Sequence, residues 1–162
     1  MTGNPHFETA ATWKMARKML TFQPREPAYT AKLRLRSIRI YVRDHKMRLI
    51  SIGDRTMEAH YGGFVLSQAR KGIDEARRLT LEVPYGRDGQ DATVAGRTAR
   101  VYELGPEPPE DDIEGRAPAV VVWHDAELHF LIASDSIRVA DLMKIATSVY
   151  CPKRAPRRMP GR

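Results

Sequence analysis

Five histidines, one cysteine and twenty acidic residues are the groups in this chain with the chemistry for catalysis or metal binding, and their spacing decides what they can do together. His6, His45, His60, His124 and His129 never fall into an HxH or HExxH pattern, the spacings that put two imidazoles on one ion. His124 and His129 flank a short turn containing Asp125, so their rings approach across a hairpin. No third or fourth ligand is supplied nearby, and ordinary strand-end histidines are the better reading. Cys151 stands close to Lys153 and Arg154, whose charge favours the thiolate. It lacks a positioned base and precedes Pro152, so it reads as a bystander thiol. Gly62-Gly63 lacks the frame of a phosphate-binding loop, and no serine lies in a GxSxG elbow. The acids from Glu107 to Glu114 lack the alternating D-x-D-x-D-G arrangement of a calcium loop. These patterns assign no catalytic residue, no metal ligand and no cofactor, and the expectation is a protein that is not an enzyme.

Charge is the more informative signal. The formal net charge is +7, unevenly distributed. Between Lys14 and Arg48 eleven Lys or Arg face two acids, Glu26 and Asp44. Between Glu103 and Glu114 there are six acids and no base. The candidate binding residues are therefore basic: Arg34, Arg36, Arg39 and Arg43, with Tyr41 among them, and Lys153, Arg154, Arg157 and Arg158 in the last twelve residues. Such a distribution steers an acidic partner or keeps a protein soluble. The same arginines with an aromatic among them could contact the phosphates of a nucleic acid, although no RRM, KH, helix-turn-helix or zinc signature accompanies them. Trp123 and Phe130 read as cross-strand core partners in preference to a ligand-stacking pair.

The elements that position these residues follow from periodicity. A helix is expected from about Ala10 to Leu20, capped by Thr9, with Phe7 stapled to its first turn. Pro24 to Pro27 ends helical structure. In KLRLRSIRIYVR, Leu33 and Leu35 occupy odd positions, whereas Ile38, Ile40 and Val42 occupy even ones. One apolar face requires a bulge near Arg36-Ser37. After a turn at Asp44-His45-Lys46, MRLISIG reads as the second strand. A loop follows, and Gly62-Gly63 introduces a third strand, FVLSQA. IDEARRL has helix formers for two turns, and TLEV reads as extended. ATVAGRTARVYEL reads as two strands hinged at Gly96, and Gly105 to Pro118 as a mobile acidic loop.

The last third is the clearest. AVVVWH is almost continuously apolar, like a central strand covered on both faces. Asp125-Ala126 turns the chain into ELHFLIAS, where Leu128, Phe130 and Ile132 share a face. Leu142, Ile145, Ala146 and Val149 then repeat at helical spacing and make one apolar stripe. The fold class is accordingly α+β, a single antiparallel twisted sheet with N-terminal and C-terminal helices packed on it. The domain is placed at residues 7–150, followed by a basic disordered tail at 151–162. No apolar stretch reaches the roughly 20 residues of a membrane span, and the N-terminus lacks the basic and apolar regions of a signal peptide. The default compartment is the cytoplasm.

Several of these segments together resemble one uncharacterised bacterial α+β domain family. They are LTFQPREP after a helix, then V-A-G-R-T-A-R-V-Y, V-W-H-D-A-E-L-H-F-L-I and D-L-M-K-I-A-T-S-V. Val94, Gly96, Trp123, Phe130, Ile145, Ala146 and Ser148 sit in matching places. That family is found at the outer, extracytoplasmic end of membrane-anchored anti-sigma-factor-like proteins. The resemblance implies a non-catalytic binding or sensory domain, and the expected fold, with one open sheet face, would let the sheet or its edge contact a protein partner. The location is extracytoplasmic if the chain is a fragment of such a protein. This chain lacks the sigma-binding part and the membrane span of those proteins and carries a basic tail that they do not predict.

Overall fold

Alternating apolar residues at period two recur through the chain, and most such runs have become strands of one sheet. The computed structural model describes residues 5–71, 88–111 and 115–151. In chain order the elements are β1 (Phe7–Ala10), α1 (Trp13–Met19), β2 (Leu35–Tyr41), β3 (Thr56–Tyr61), β4 (Val65–Arg70), β5 (Gln90–Val94), β6 (Arg97–Tyr102), β7 (Ala119–His124), β8 (Leu128–Ser134) and α2 (Val139–Ser148). A short 3-10 turn at Ile52–Asp54 precedes β3. The eight strands form one sheet in the order β1-β2-β3-β4-β8-β7-β6-β5, antiparallel at every step. Two meanders, β1 to β4 and β5 to β8, thus meet at the β4–β8 pair. The α+β class and the single antiparallel sheet agree with the sequence reading.

One face of the sheet carries the apolar core. Ile38, Ile40, Met57, Ala59, Leu66, Val121, Trp123, Phe130 and Ile132 share a buried cluster with Trp13 and Ala16 of α1 and with Leu142, Ile145 and Ala146 of α2. The stripe on α2 is the one its spacing predicts, and Val149 just beyond the helix is buried with it. Trp123 and Phe130 stack across β7 and β8, with centroids 4.7 Å apart and planes 2° from parallel. The bulge near Arg36-Ser37 is present as a register shift between Leu35 and Ser37. It keeps Ile38 and Ile40 on the core face while Leu33 and Leu35 pack against its margin.

Five expectations are corrected. The first helix begins at Trp13 and not at Ala10, and Thr12 caps it by accepting the Met15 N–H at 3.2 Å. Thr9 lies in β1, opposite Arg39. Phe7 does not staple the helix but meets Tyr41 edge-on, with centroids 5.6 Å apart. MRLISIG is not a strand, and only an isolated bridge joins Arg43 to Leu49. The segment read as a loop after it contains β3, which is among the most buried strands. TMEAHY alternates polar and apolar residues, but the run is short and only Met57, Ala59 and Tyr61 are apolar, so it reads as part of the loop.

The remaining connections follow the turn chemistry. Gly62-Gly63 joins β3 to β4, as read. Ala95 and Gly96 link β5 to β6 with φ of +49° and +79°, the paired positive values of a two-residue type I′ turn. Around the acidic loop, residues 105–111 and 115–118 carry neither helix nor strand, and the Gly105 N–H donates to the Ala117 carbonyl at 2.9 Å, closing its base. IDEARRL, TLEV and the tail beyond Cys151 lie outside the described residues. Among the described residues no helix is long and apolar enough to cross a membrane.

Two substitutions test this architecture. Ile145 is fully buried, so Ile145→Ala should lower stability by about 2–5 kcal/mol in chemical denaturation; a loss below about 0.5 kcal/mol would place α2 outside the core. Ala95→Asn relieves a positive φ that alanine tolerates poorly, and should raise stability by roughly 0.5 kcal/mol. A decrease would show that the turn is not of this type.

Candidate functional site

The bulge at Arg36 divides the basic strand into two parts with different surroundings. Lys32, Arg34 and Arg36 are exposed. Arg34 contributes its carbonyl to the Gly62 N–H at 3.3 Å, leaving its side chain outside the sheet. Arg39 and Tyr41, beyond the bulge, face away from the apolar core and are half-buried. The Arg39 guanidinium lies 4.7 Å over the Phe7 ring. Arg43 folds back on its own hairpin, donating from Nη1 to the Met47 carbonyl at 3.0 Å. Of the described candidate residues, only Arg39 and Tyr41 come together in one cluster. Lys153, Arg154, Arg157 and Arg158 lie outside the described residues.

The cluster around Tyr41 includes two residues that the sequence reading missed. The Tyr41 hydroxyl donates to Glu58 Oε1 at 2.8 Å, and His60 Nε2 donates to the same oxygen at 3.0 Å. Glu58 is 7% exposed, and Ser67, directly across β4 from it, is 3% exposed. Thr56, Ala69, Val120 and Leu131 are buried on this same side of the sheet. The open sheet face expected from the sequence is therefore not open. Burial, together with the hydrogen bond to Glu58, pushes the Tyr41 phenol up to about 12. A phenol that remains protonated this far above neutrality is a donor that fixes Glu58, and it is a poor base.

A second polar network lies at the far end of β7 and β8. The Trp123 indole N–H donates to the Tyr150 oxygen at 3.0 Å, and the Tyr150 hydroxyl donates to Asp125 Oδ2 at 3.0 Å. Asp125 Oδ1 accepts the backbone N–H groups of Glu127 and Leu128, both at 2.8 Å. Burial works against ionisation of Asp125, yet these donors and Arg25 hold its carboxyl below the usual range. Arg97 lies 3.7 Å and Arg25 5.2 Å from the Tyr150 ring centroid. This arrangement fixes the end of α2 against the β7–β8 turn. His124 and His129 are cross-strand neighbours with centroids 5.7 Å apart. Among the described residues no three His, Cys, Asp or Glu side chains form a metal-holding group. Cys151 is a free, exposed thiol.

Two surface features at the ends of β2 fit a partner or a ligand. At one end of β2 the connection to β3 exposes Met47 (41%), Leu49 (71%) and Ile52 (57%), with Lys46 and Arg48 exposed beside them. Asp44 stiffens this hairpin by accepting the Lys46 and Arg48 N–H groups at 2.9 and 3.0 Å and Arg48 Nε at 2.9 Å. At the other end of β2 lies a cleft of about 480 Å³, lined by Arg36, Gly62, Phe64, Val65, Arg116 and Asp135 among others. Arg116 is absent from the sequence-based candidates because it follows a proline-rich acidic stretch, where a lone arginine carries no pattern. The hairpin was hidden differently, since its apolar alternation is that of a strand.

The titration of Tyr41 gives a direct check. Burial also raises the Tyr61 phenol to about 12. A phenol whose pKa in the fold exceeds its unfolded value near 10 contributes stability that is complete below about pH 10 and is lost as pH rises through about 12. An absorbance titration of the six tyrosines should show Tyr41 and Tyr61 ionising late, with Tyr150 also shifted upward by burial, and unfolding setting in over that window. Tyr41→Phe should remove one late step; ionisation of all tyrosines near pH 10 would contradict the buried Tyr41–Glu58 contact.

Comparison of the chain with protein-family models, with curated proteins and with solved structures finds no match.

Proposed function

We propose that this protein is a non-catalytic binding or sensory domain that contacts a protein partner at the β2–β3 end of its sheet. The observation that carries the reading is the hairpin at residues 43–52. It exposes three large apolar side chains, Met47, Leu49 and Ile52, beside exposed Lys46 and Arg48. An apolar centre with a charged rim is the usual anatomy of a protein–protein contact. The hydrogen bonds to Asp44 hold the tip in shape before any partner arrives, which lowers the ordering cost of association. The rim is cationic, so the complementary partner is acidic around an apolar centre. The resemblance to the outer domains of anti-sigma-factor-like proteins points to the same kind of role.

The alternative is a nucleic-acid-associated protein that uses exposed Arg34 and Arg36 and the basic tail. It has less support, because Tyr41 is engaged with Glu58 and Arg39 is held over Phe7, which withdraws the aromatic and one arginine from phosphate or base contact.

One experiment separates the two. Full-length protein and its Leu49→Asp variant are used for affinity capture from nuclease-treated and untreated extracts, with Leu49→Met as the conservative control. The same captured protein should appear with wild type and Leu49→Met regardless of nuclease, and recovery with Leu49→Asp should fall at least about tenfold. Capture that depends on nuclease, or that Leu49→Asp leaves unchanged, would remove the hairpin reading. A fluorescent DNA duplex should then bind with steep salt dependence.

A further inference from the structure

We infer that the cleft at the opposite end of β2 is a binding site for a small zwitterion, an α-amino acid with an apolar side chain. The cleft holds about 480 Å³, within the range of small-molecule sites. Its apolar lining comes from Phe64, Val65, Pro118 and Ala133. Phe64 is buried and stacked on Tyr61, with centroids 4.5 Å apart, so this part of the wall is rigid. Ser134 fixes the adjoining backbone, donating to the Gly63 carbonyl at 2.6 Å and accepting the Ser136 and Ile137 N–H groups at 3.1 and 2.8 Å.

Charges of both signs line this space. Arg36 and Asp135 are exposed within it, and among the described residues neither makes an ion pair. The Arg36 guanidinium lies over Gly62, 3.6 Å from where a Cβ would stand, so the missing side chain leaves it room at the rim. Arg116 is positioned by its own backbone contact, donating from Nε to the Gly105 carbonyl at 2.6 Å, and its Nη1 is 3.9 Å from the highly exposed Glu107. A ligand with only an anionic head would satisfy the arginines and be repelled by Asp135. A ligand with only an ammonium would do the reverse. A molecule carrying both groups on one carbon, with an apolar side chain, uses the two arginines, the carboxylate and the apolar lining together. The hairpin proposed for a protein partner lies at the other end of β2, so this site stands or falls independently of it.

The test is titration of the full chain, followed by backbone amide chemical shifts, with L-phenylalanine as the probe. L-phenylalanine amide, which lacks the carboxylate, N-acetyl-L-phenylalanine and 3-phenylpropionate, which lack the ammonium, and inorganic phosphate serve as comparisons. L-phenylalanine should bind saturably with a Kd below about 10 mM and shift the amides of Gly62, Gly63 and Ala133. The amide and the N-acetyl derivative should each bind at least about tenfold more weakly. Arg36→Gln should weaken L-phenylalanine but not the amide, and Asp135→Asn should weaken L-phenylalanine but not the N-acetyl derivative. Both substituted residues are exposed, and an unchanged melting curve confirms that the variants fold. The inference is overturned if L-phenylalanine does not saturate, if its shifts fall elsewhere, or if phosphate or 3-phenylpropionate binds as tightly. If a variant fails to fold, the wild-type shift map and the ranking of the analogues decide alone.

Discussion

The pairing of β4 with β8 is the contact on which the rest of the sheet depends. Six residue pairs, from Val65↔Ala133 to Arg70↔Leu128, join two meanders that are otherwise locally connected. The seam is reinforced beside its ends. The Ser134 hydroxyl reaches the Gly63 carbonyl, 71 residues away in sequence, and the Lys71 N–H donates to the Glu127 carbonyl at 2.7 Å. On the core side of the seam Gln68, fully buried opposite Phe130, donates from its amide to the Arg25 carbonyl at 2.9 Å and accepts the Arg25 N–H at 2.8 Å. The edge of its carboxamide that faces Arg25 presents one N–H donor and one oxygen acceptor, as a peptide group does. It holds the proline-flanked segment as a neighbouring strand would, so the chain leaving α1 is tied to the same seam.

Much of this was legible in the sequence, because local patterns dominated where the chain alternates cleanly. In β7, β8 and α2 the apolar residues fall at the period of the element they form, and the Asp125 turn is marked by a side chain that accepts its own downstream N–H groups. The bulge was legible because Leu35 and Ile38 could not otherwise share a side. What escaped was β1 and β3. Four residues, FETA, are too few to establish a period, and their alanine and threonine continue into a helix start. β3 carries Glu58 and His60 at positions that a surface strand would fill in the same way, so its burial comes from the sheet and not from its own composition. MRLISIG failed in the opposite sense. It has the alternation of a strand, yet Leu49 and Ile52 project outward.

The candidate site was legible to a smaller degree. Composition identified the basic strand, but charge alone does not say which cations remain accessible. The bulge places Arg39 and Tyr41 with Phe7, Glu58 and His60, while Arg36 lies over Gly62 at the strand end. An isolated arginine such as Arg116, brought to the cleft by a loop whose base closes between Gly105 and Ala117, has no local signature at all. Pairings across the sheet, set by the tertiary fold, decide which side chains meet.

The polar row on β3 has a consequence for folding specificity. Thr56, Glu58 and His60 face one side of that strand, while Met57, Ala59 and Tyr61 face the apolar core. Slipping β3 by a single residue against β2 or β4 would exchange the two sets. Glu58 would then enter the helix-covered core without the Tyr41 and His60 donors it has now, and Met57 would lose its place beside Ile40. An ionised carboxylate moved into such surroundings is strongly disfavoured. A strand bearing apolar residues on both faces would tolerate the slip, whereas this one has an asymmetry that admits a single alignment. The polar residues of β3 are therefore the ones that keep the sheet in register.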